Sequence, residues 1–312
     1  MLSLSRLHWL RIPFLGALAA AFLACGGAPP TPPMKNEMAQ SAAAVQSVAR
    51  DSFTLWQMQS VDNRTMLSYV LLSPQNEVIV VDGGWPADAG QLAFFLRLLG
   101  NHVTAWYVTH PHPDHVGALA TITQNKGDLV IDHIYGSFPS RDWLQTNAQI
   151  EPLPMYDLLA RSASTVTEVN LGDVHSYDGM TVQILGVKNP EIVYNGVNNS
   201  SMIFRVSDAK KSVLFLGDLG VEEGKKLLAS PYKHFLPSTY VQVAHHGWTN
   251  GIEDLYRQVN PKNALWPTTF DFVNGCSYIS PEATQSAQTL LALFKEMGVT
   301  SYYSFNGLHR VD

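Results

Sequence analysis

The chain has 312 residues, of which 46% are hydrophobic and 15% charged, a balance that excludes a disordered polymer and allows a core of good size. The net charge is −6, and losing the first 25 residues would remove Arg6 and Arg11 but no acid, making it more negative still. That sign argues against a long polyanionic partner such as nucleic acid, which proteins hold with basic surface, and favours a small substrate.

In chain order, Arg6 and Arg11 precede an apolar run over 12–23, too short for a comfortable membrane span and of the length of a signal peptide. The run ends in Phe22-Leu23-Ala24-Cys25-Gly26, which resembles a bacterial lipoprotein cleavage site. The expectation is export to the bacterial cell envelope with Cys25 lipidated and membrane-bound, or otherwise a periplasmic or secreted protein. Residues 26–50 are rich in Gly, Pro, Ala and Ser and read as a flexible linker. Residues 51–312 read as one folded domain.

Short β-prone runs cover 53–59, 66–72 and 77–81, separated by polar turns. Apolar residues at helical spacing follow over 87–99 and stop at Gly100. The strand predicted at 103–108 delivers the chain into Thr109-His110-Pro111-His112-Pro113-Asp114-His115-Val116-Gly117. The second half repeats this texture, with strands expected at 180–185, 202–206, 212–216 and 240–243 and helices at 221–228, 252–258 and 286–297. Two β-rich halves feeding polar loops fit an α/β sandwich of two sheets with helices outside.

If the chain leaves its strand extended, His110, His112 and Asp114 point the same way. Pro111 and Pro113 restrict the residues before them and favour that alternation. His115 follows, with Asp114 expected at the start of a helix running through 116–122. Imidazole and carboxylate donors suit zinc, and manganese or iron in a more open geometry. Further candidates stand at predicted strand ends: Asp82 closes Val78-Ile79-Val80-Val81-Asp82, Asp218 closes Val213-Leu214-Phe215-Leu216-Gly217-Asp218, and His245 and His246 close Val241-Gln242-Val243-Ala244-His245-His246. Each alone could be a turn or a packed residue, but four strands converging on donors specify a site.

These motifs resemble the metallo-β-lactamase superfamily over nearly all of the chain from about residue 53. The resemblance implies a four-layer αβ/βα sandwich with a two-metal centre at one edge. His110 and His112 match ligands of the first ion, Asp114 and His115 ligands of the second, and Asp218 the carboxylate bridging both. One of His245 and His246 matches a second-ion ligand; His245 is favoured, leaving His246 to face the substrate. Asp82 matches the buried Asp that supports the ligand loop. One position departs from the commonest pattern: a third histidine for the first ion is missing from 197–203, where Asn198 and Asn199 stand. That stretch looks more like the nuclease-like domain of bacterial DNA-uptake competence proteins, and the phosphorylcholine esterase branch is also similar. The expected activity is attack by a metal-bound hydroxide on a phosphodiester, with Asp114, His246 and Asn198 as catalytic residues. A lactone, thioester or β-lactam hydrolase on the same metals, and a non-catalytic metal- or ligand-binding surface lipoprotein, are the alternatives.

Overall fold

A computed structural model describes residues 35–46, 49–125, 127–147, 149–161, 165–276 and 279–312. The signal-like segment and Cys25 lie outside the described residues.

Fourteen strands form two seven-stranded sheets among those residues. The first sheet contains β1 (Thr54–Gln57), β2 (Ser68–Leu72), β3 (Val78–Asp82), β4 (His102–Val108), β5 (Val130–Gly136) and β6 (Val166–Glu168), with β14 (His309–Val311) returning beside β1. The second contains β7 (Val174–Tyr177), β8 (Met180–Gly186), β9 (Ile203–Ser207), β10 (Ser212–Phe215), β11 (Tyr240–Gln242), β12 (Asn263–Trp266) and β13 (Thr300–Tyr303). Each sheet begins antiparallel and turns parallel, at β3–β4 in the first and at β10–β11 in the second. The texture repeated in the sequence is therefore a repeated topology.

Period-two strands bury both faces, and this builds the layers. In β3, Val78 and Val80 join the core beneath the helices of the first half, while Ile79 and Val81 join the core between the sheets. In β10, Val213 and Phe215 face the same central core, while Leu214 packs under the helices of the second half. Helices α1 (Lys35–Gln46), α2 (Ala89–Leu98), α3 (Pro113–Gln124), α4 (Arg141–Thr146) and α5 (Leu153–Ala160) belong to the first half; α6 (Val221–Ala229), α7 (Glu253–Val259), α8 (Phe270–Val273) and α9 (Pro281–Glu296) belong to the second. The result is the expected four-layer αβ/βα sandwich in one domain. No described helix is long and apolar enough to cross a membrane.

Two expectations differ. The stretch read as a flexible linker contains α1, whose Met38, Ala42 and Val45 are buried in the first helical core. Ser41 Oγ accepts a hydrogen bond from Trp56 Nε1 at 2.8 Å, so composition hid an amphipathic face that tertiary packing stabilises. The extended alternation also stops at His112. Pro113 has the φ that a first helical residue needs, so His112 remains extended (φ −69°, ψ 150°) as the cap of α3. Asp114 then sits in the first helical turn, close to its expected place at the helix start, and only His110 and His112 keep the extended alternation.

Candidate metal centre

The candidate residues meet at the carboxyl ends of β3, β4, β10 and β11, where open α/β sheets place their ligands. Asp82 anchors the assembly. Its carboxylate is fully buried and its backbone is left-handed at φ +52°. Oδ1 accepts the Thr109 backbone N–H at 2.7 Å, and Oδ2 accepts the Thr109 hydroxyl at 2.7 Å. His115 Nδ1 also lies 2.7 Å from Oδ2, so that nitrogen carries the hydrogen and Nε2 faces inward. Because the Thr109 hydroxyl is spent on Asp82, its oxygen accepts from His110 Nδ1 at 3.1 Å, which likewise frees His110 Nε2. One carboxylate thus sets two imidazoles.

His246 is set by a different element. Its Nδ1 is 2.7 Å from the Pro267 carbonyl, which can only accept, so Nε2 is the free nitrogen. That atom lies 3.1 Å from Asp114 Oδ2 and 3.5 Å from Asp218 Oδ2. His115 Nε2 lies 3.2 Å from Asp218 Oδ1. His110 Nε2 approaches Asp218 Oδ2 at 3.8 Å and His245 Nε2 at 3.7 Å. Asp218 stands at the centre of four histidines.

The turn that carries Asp218 is held by residues the sequence reading passed over. Gln242, fully buried in β11, accepts the N–H groups of Leu216 and Gly217 at 2.8 and 2.7 Å. Its amide donates to the Gly217 and Val243 carbonyls at 3.0 and 2.7 Å. Ser201 Oγ accepts the Asp218 N–H at 3.0 Å. The available signal was one glutamine in an otherwise apolar strand, a polar group that burial obliges to find partners.

His245 (φ +49°), His246 (φ +57°) and Gly247 (φ +96°) form three consecutive left-handed residues. For the two histidines that conformation costs on the order of 1–3 kcal/mol each, a strain that gathers at functional sites. A Cβ on Gly247 would stand 2.7 Å from Trp266, so glycine is required there. Trp248 follows, partly exposed and stacked on Phe272 at 5.2 Å, beside the mouth of the site.

The electrostatics favour bound positive charge. Burial pushes Asp218 up, but His115, His246 and His245 outweigh it and hold the carboxyl well below its usual range. Burial pushes His115 down, but Asp218, Asp114 and Asp82 lift it well above 6.5. His246, against the same burial, is pushed up to about 10 by Asp218 and Asp114. Burial lowers His110, His112 and His245, so these are the neutral imidazoles a metal prefers. His110 Nε2 and His112 Nδ1 face each other at 3.0 Å.

Among the described residues, two groups of donors are compact enough to hold an ion: His110, His115 and Asp218, and Asp114, His115 and His246. Buried Asn198 Oδ1 has no hydrogen-bond partner, and His115 Nε2 and His246 Nε2 meet only the carboxylates of Asp218 and Asp114, at 3.2 and 3.1 Å, where a bound ion would take the place of the imidazole protons. Every expected ligand borders this pocket, but His112 and His245 stand outside the compact groups. The histidine grouped with Asp114 and His115 is His246, whereas the sequence reading favoured His245. Asn198 is buried along the same wall, with Nδ2 3.1 Å from Asn195 Oδ1 and 3.3 Å from His245 Nε2.

A family model described as the metallo-β-lactamase superfamily matches residues 64–264. Similar solved structures include the metallo-β-lactamase fold protein YhfI from Bacillus subtilis, at 12% identity and a TM-score of 0.52, covering 84% of this chain and 100% of that one. Unliganded yeast PDE1 shares 15% identity with a TM-score of 0.50 over 81% of this chain and 97% of its own. CmlA, a diiron β-hydroxylase from Streptomyces venezuelae, shares 13% identity with a TM-score of 0.50 over 84% of this chain and 54% of its own. At such identities the likeness speaks for the fold alone. No curated protein matches the chain.

Proposed function

We propose a hydrolytic function from one premise: the chain belongs to the metallo-β-lactamase superfamily. The reading is metal-dependent hydrolysis of a phosphodiester, with zinc as the first choice of ion because the donors are imidazoles and carboxylates. The observation that carries it is the ring of inward-facing imidazole nitrogens around the buried, ionised Asp218. Bound there, two divalent ions would acidify a water near neutral pH and offset negative charge building on the substrate.

The chain's own groups divide the remaining work. Asp218 belongs to one donor group and faces His246 of the other at 3.5 Å, so it would be shared by both ions. Asp114, His115 and His246 would hold the second ion, with His246 as its imidazole because Pro267 fixes the ring. His110 and His112 would hold the first. The Asp114 side chain is 17% exposed against 3% for Asp218, so it is the carboxylate that can accept a hydrogen from the attacking water and orient it. Asn198 would orient the substrate through its amide; asparagine at this position is the feature that favours a phosphodiester, as in the competence-type branch. The same reading includes export and lipid attachment at Cys25, which mass spectrometry of the N-terminal fragment from membranes would detect as an acyl adduct.

The test is metal content together with hydrolysis of bis-p-nitrophenyl phosphate, a lactone and nitrocefin by the purified protein. Two ions per chain and turnover of the phosphodiester are expected. Asp114→Ala should abolish that turnover while the protein stays folded by circular dichroism. Faster cleavage of the lactone or nitrocefin would reassign the bond, and less than one ion per chain would sink the enzymatic reading.

A further inference from the structure

His245 has no role in the assignment above, yet it is one of a strained pair. We propose that His245 Nε2 is the third imidazole of the first ion, supplied by the loop after β11 in place of the histidine missing at the 197–203 stretch. The proposal rests on the two-metal reading and assigns His245 to the opposite ion from its neighbour His246.

The other histidines between the ligand loop and His245 are occupied elsewhere. His175 Nδ1 bonds the Tyr107 hydroxyl at 2.6 Å, His133 stacks on Tyr135, and His234 lies in the exposed segment Pro231–Phe235. His245, in contrast, reaches the wall where the histidine is missing. Its Nε2 is 3.3 Å from the Asn198 amide nitrogen and 3.7 Å from Asp218 Oδ2, the same oxygen that His110 Nε2 approaches at 3.8 Å. Beside it, buried Asn198 Oδ1 has no partner, so an unspent acceptor also lines this side of the pocket.

The ring is presented in the required sense. The Thr249 hydroxyl donates to the Leu219 carbonyl at 3.0 Å, which leaves its oxygen to accept His245 Nδ1–H at 3.3 Å. Nε2 then carries the lone pair, which accepts the Asn198 amide hydrogen at 3.3 Å and would exchange that hydrogen for an ion, as for a ligand held by an outer partner. The backbone supplies the remaining condition. Adjacent residues of a strand point to opposite faces, whereas left-handed φ at both His245 and His246 sends both rings into one pocket. Asp218 Oδ2 lies within 3.7 Å of both Nε2 atoms. A single turn can thereby serve both ions, which gives the consecutive histidines a chemical reason.

The test uses the purified full protein and His245→Gly, since glycine accepts the φ of +49° without strain. Zinc content and affinity are read by competition with a chromophoric chelator, with the melting temperature of the metal-free form as the folding control. Wild type should hold two ions. The variant should keep one, with the other weakened by more than about 100-fold, beyond the range that loss of an orienting partner costs. A smaller loss overturns the proposal and leaves the two-metal reading standing. A wild-type protein that holds fewer than two ions removes both. Should the variant not fold, cadmium-loaded wild type with isotope-labelled histidine decides the matter. Spin coupling of His245 Nε2 to the ion that also couples to His110 is expected, and coupling to the ion of His115, or none, overturns the proposal.

Discussion

The two sides of the centre are built to different tolerances. On the side of Asp114, His115 and His246, each imidazole is fixed by a strong acceptor, the Asp82 carboxylate at 2.7 Å or the Pro267 carbonyl at 2.7 Å. On the other side, His110 and His245 lean on hydroxyls at 3.1 Å and 3.3 Å, the His112 ring bonds only His110 Nε2 among the described residues, at 3.0 Å, and the His245 side chain is 24% exposed. The first side is preorganised, so an ion there meets little reorganisation. An ion on the second would have to draw in His112 and His245, which stand outside the compact groups, and that would spend part of its binding energy. The structure therefore predicts unequal affinities, with the looser ion leaving first as chelator is raised.

The largest break in this comparison should come from Asp218, the group common to both sides. Asp218→Asn keeps the size and removes the charge that four imidazoles face. Loss of both ions is expected, with a fall in kcat/KM of about a thousandfold or more, equivalent to roughly 4 kcal/mol. Inductively coupled plasma analysis and phosphodiester turnover measure the two effects. Retention of both ions would mean that Asp218 is not shared between them.

Asp82→Asn should sharpen the comparison. Asparagine tolerates the left-handed backbone, but its one oxygen can replace only Oδ1 or Oδ2, so its NH2 must face either the Thr109 N–H or the Thr109 hydroxyl and His115 Nδ1. The tighter ion should lose roughly 10- to 100-fold in affinity, the usual cost of an outer partner. The looser ion should lose less, because its only tie to Asp82 runs through the Thr109 hydroxyl to His110. Equal losses in a two-step chelator titration would contradict the asymmetry.

The same contrast explains what the sequence could and could not convey. The fold was legible where burial on both faces made apolar runs, as at β3 and β10. It was not where edge strands are half-exposed, as at β7, or where α1 owes its stability to a partner distant in sequence. The ligand run His110–His115 and the strand-end acids were readable because few structural uses compete for such donors. The division between His245 and His246 was not, since it depends on consecutive left-handed φ values and on a carbonyl at Pro267. Thr109, Ser201, Gln242 and Thr249 were equally hidden, because hydroxyls and amides acquire an orienting role only when the chain brings a partner to them.

The smallest predicted effect lies behind the looser side, at Glu223. This residue is buried beside Asn189 and Asn199: its backbone N–H donates to Asn199 Oδ1 at 3.1 Å, and Asn189 Nδ2 donates to its Oε1 at 3.0 Å. Burial pushes it well above its ordinary 4.5, although the Asn189 amide, the Ser201 N–H and Lys226 pull the other way. A carboxyl raised in the folded state stabilises the fold as its protonated form. That contribution is complete below about pH 4.5 and is lost as pH rises from there through the raised value. Glu223→Gln carries no titrating group, so its stability relative to wild type should grow with pH above 4.5, by about 1 kcal/mol, the usual scale of a single substitution. Urea unfolding at several pH values measures the difference, and a gap that stays constant or shrinks with pH would show that Glu223 is ionised in place. In that case the Asn189–Asn199 network holds a buried charge, balanced by the Asn189 amide, the Ser201 N–H and Lys226.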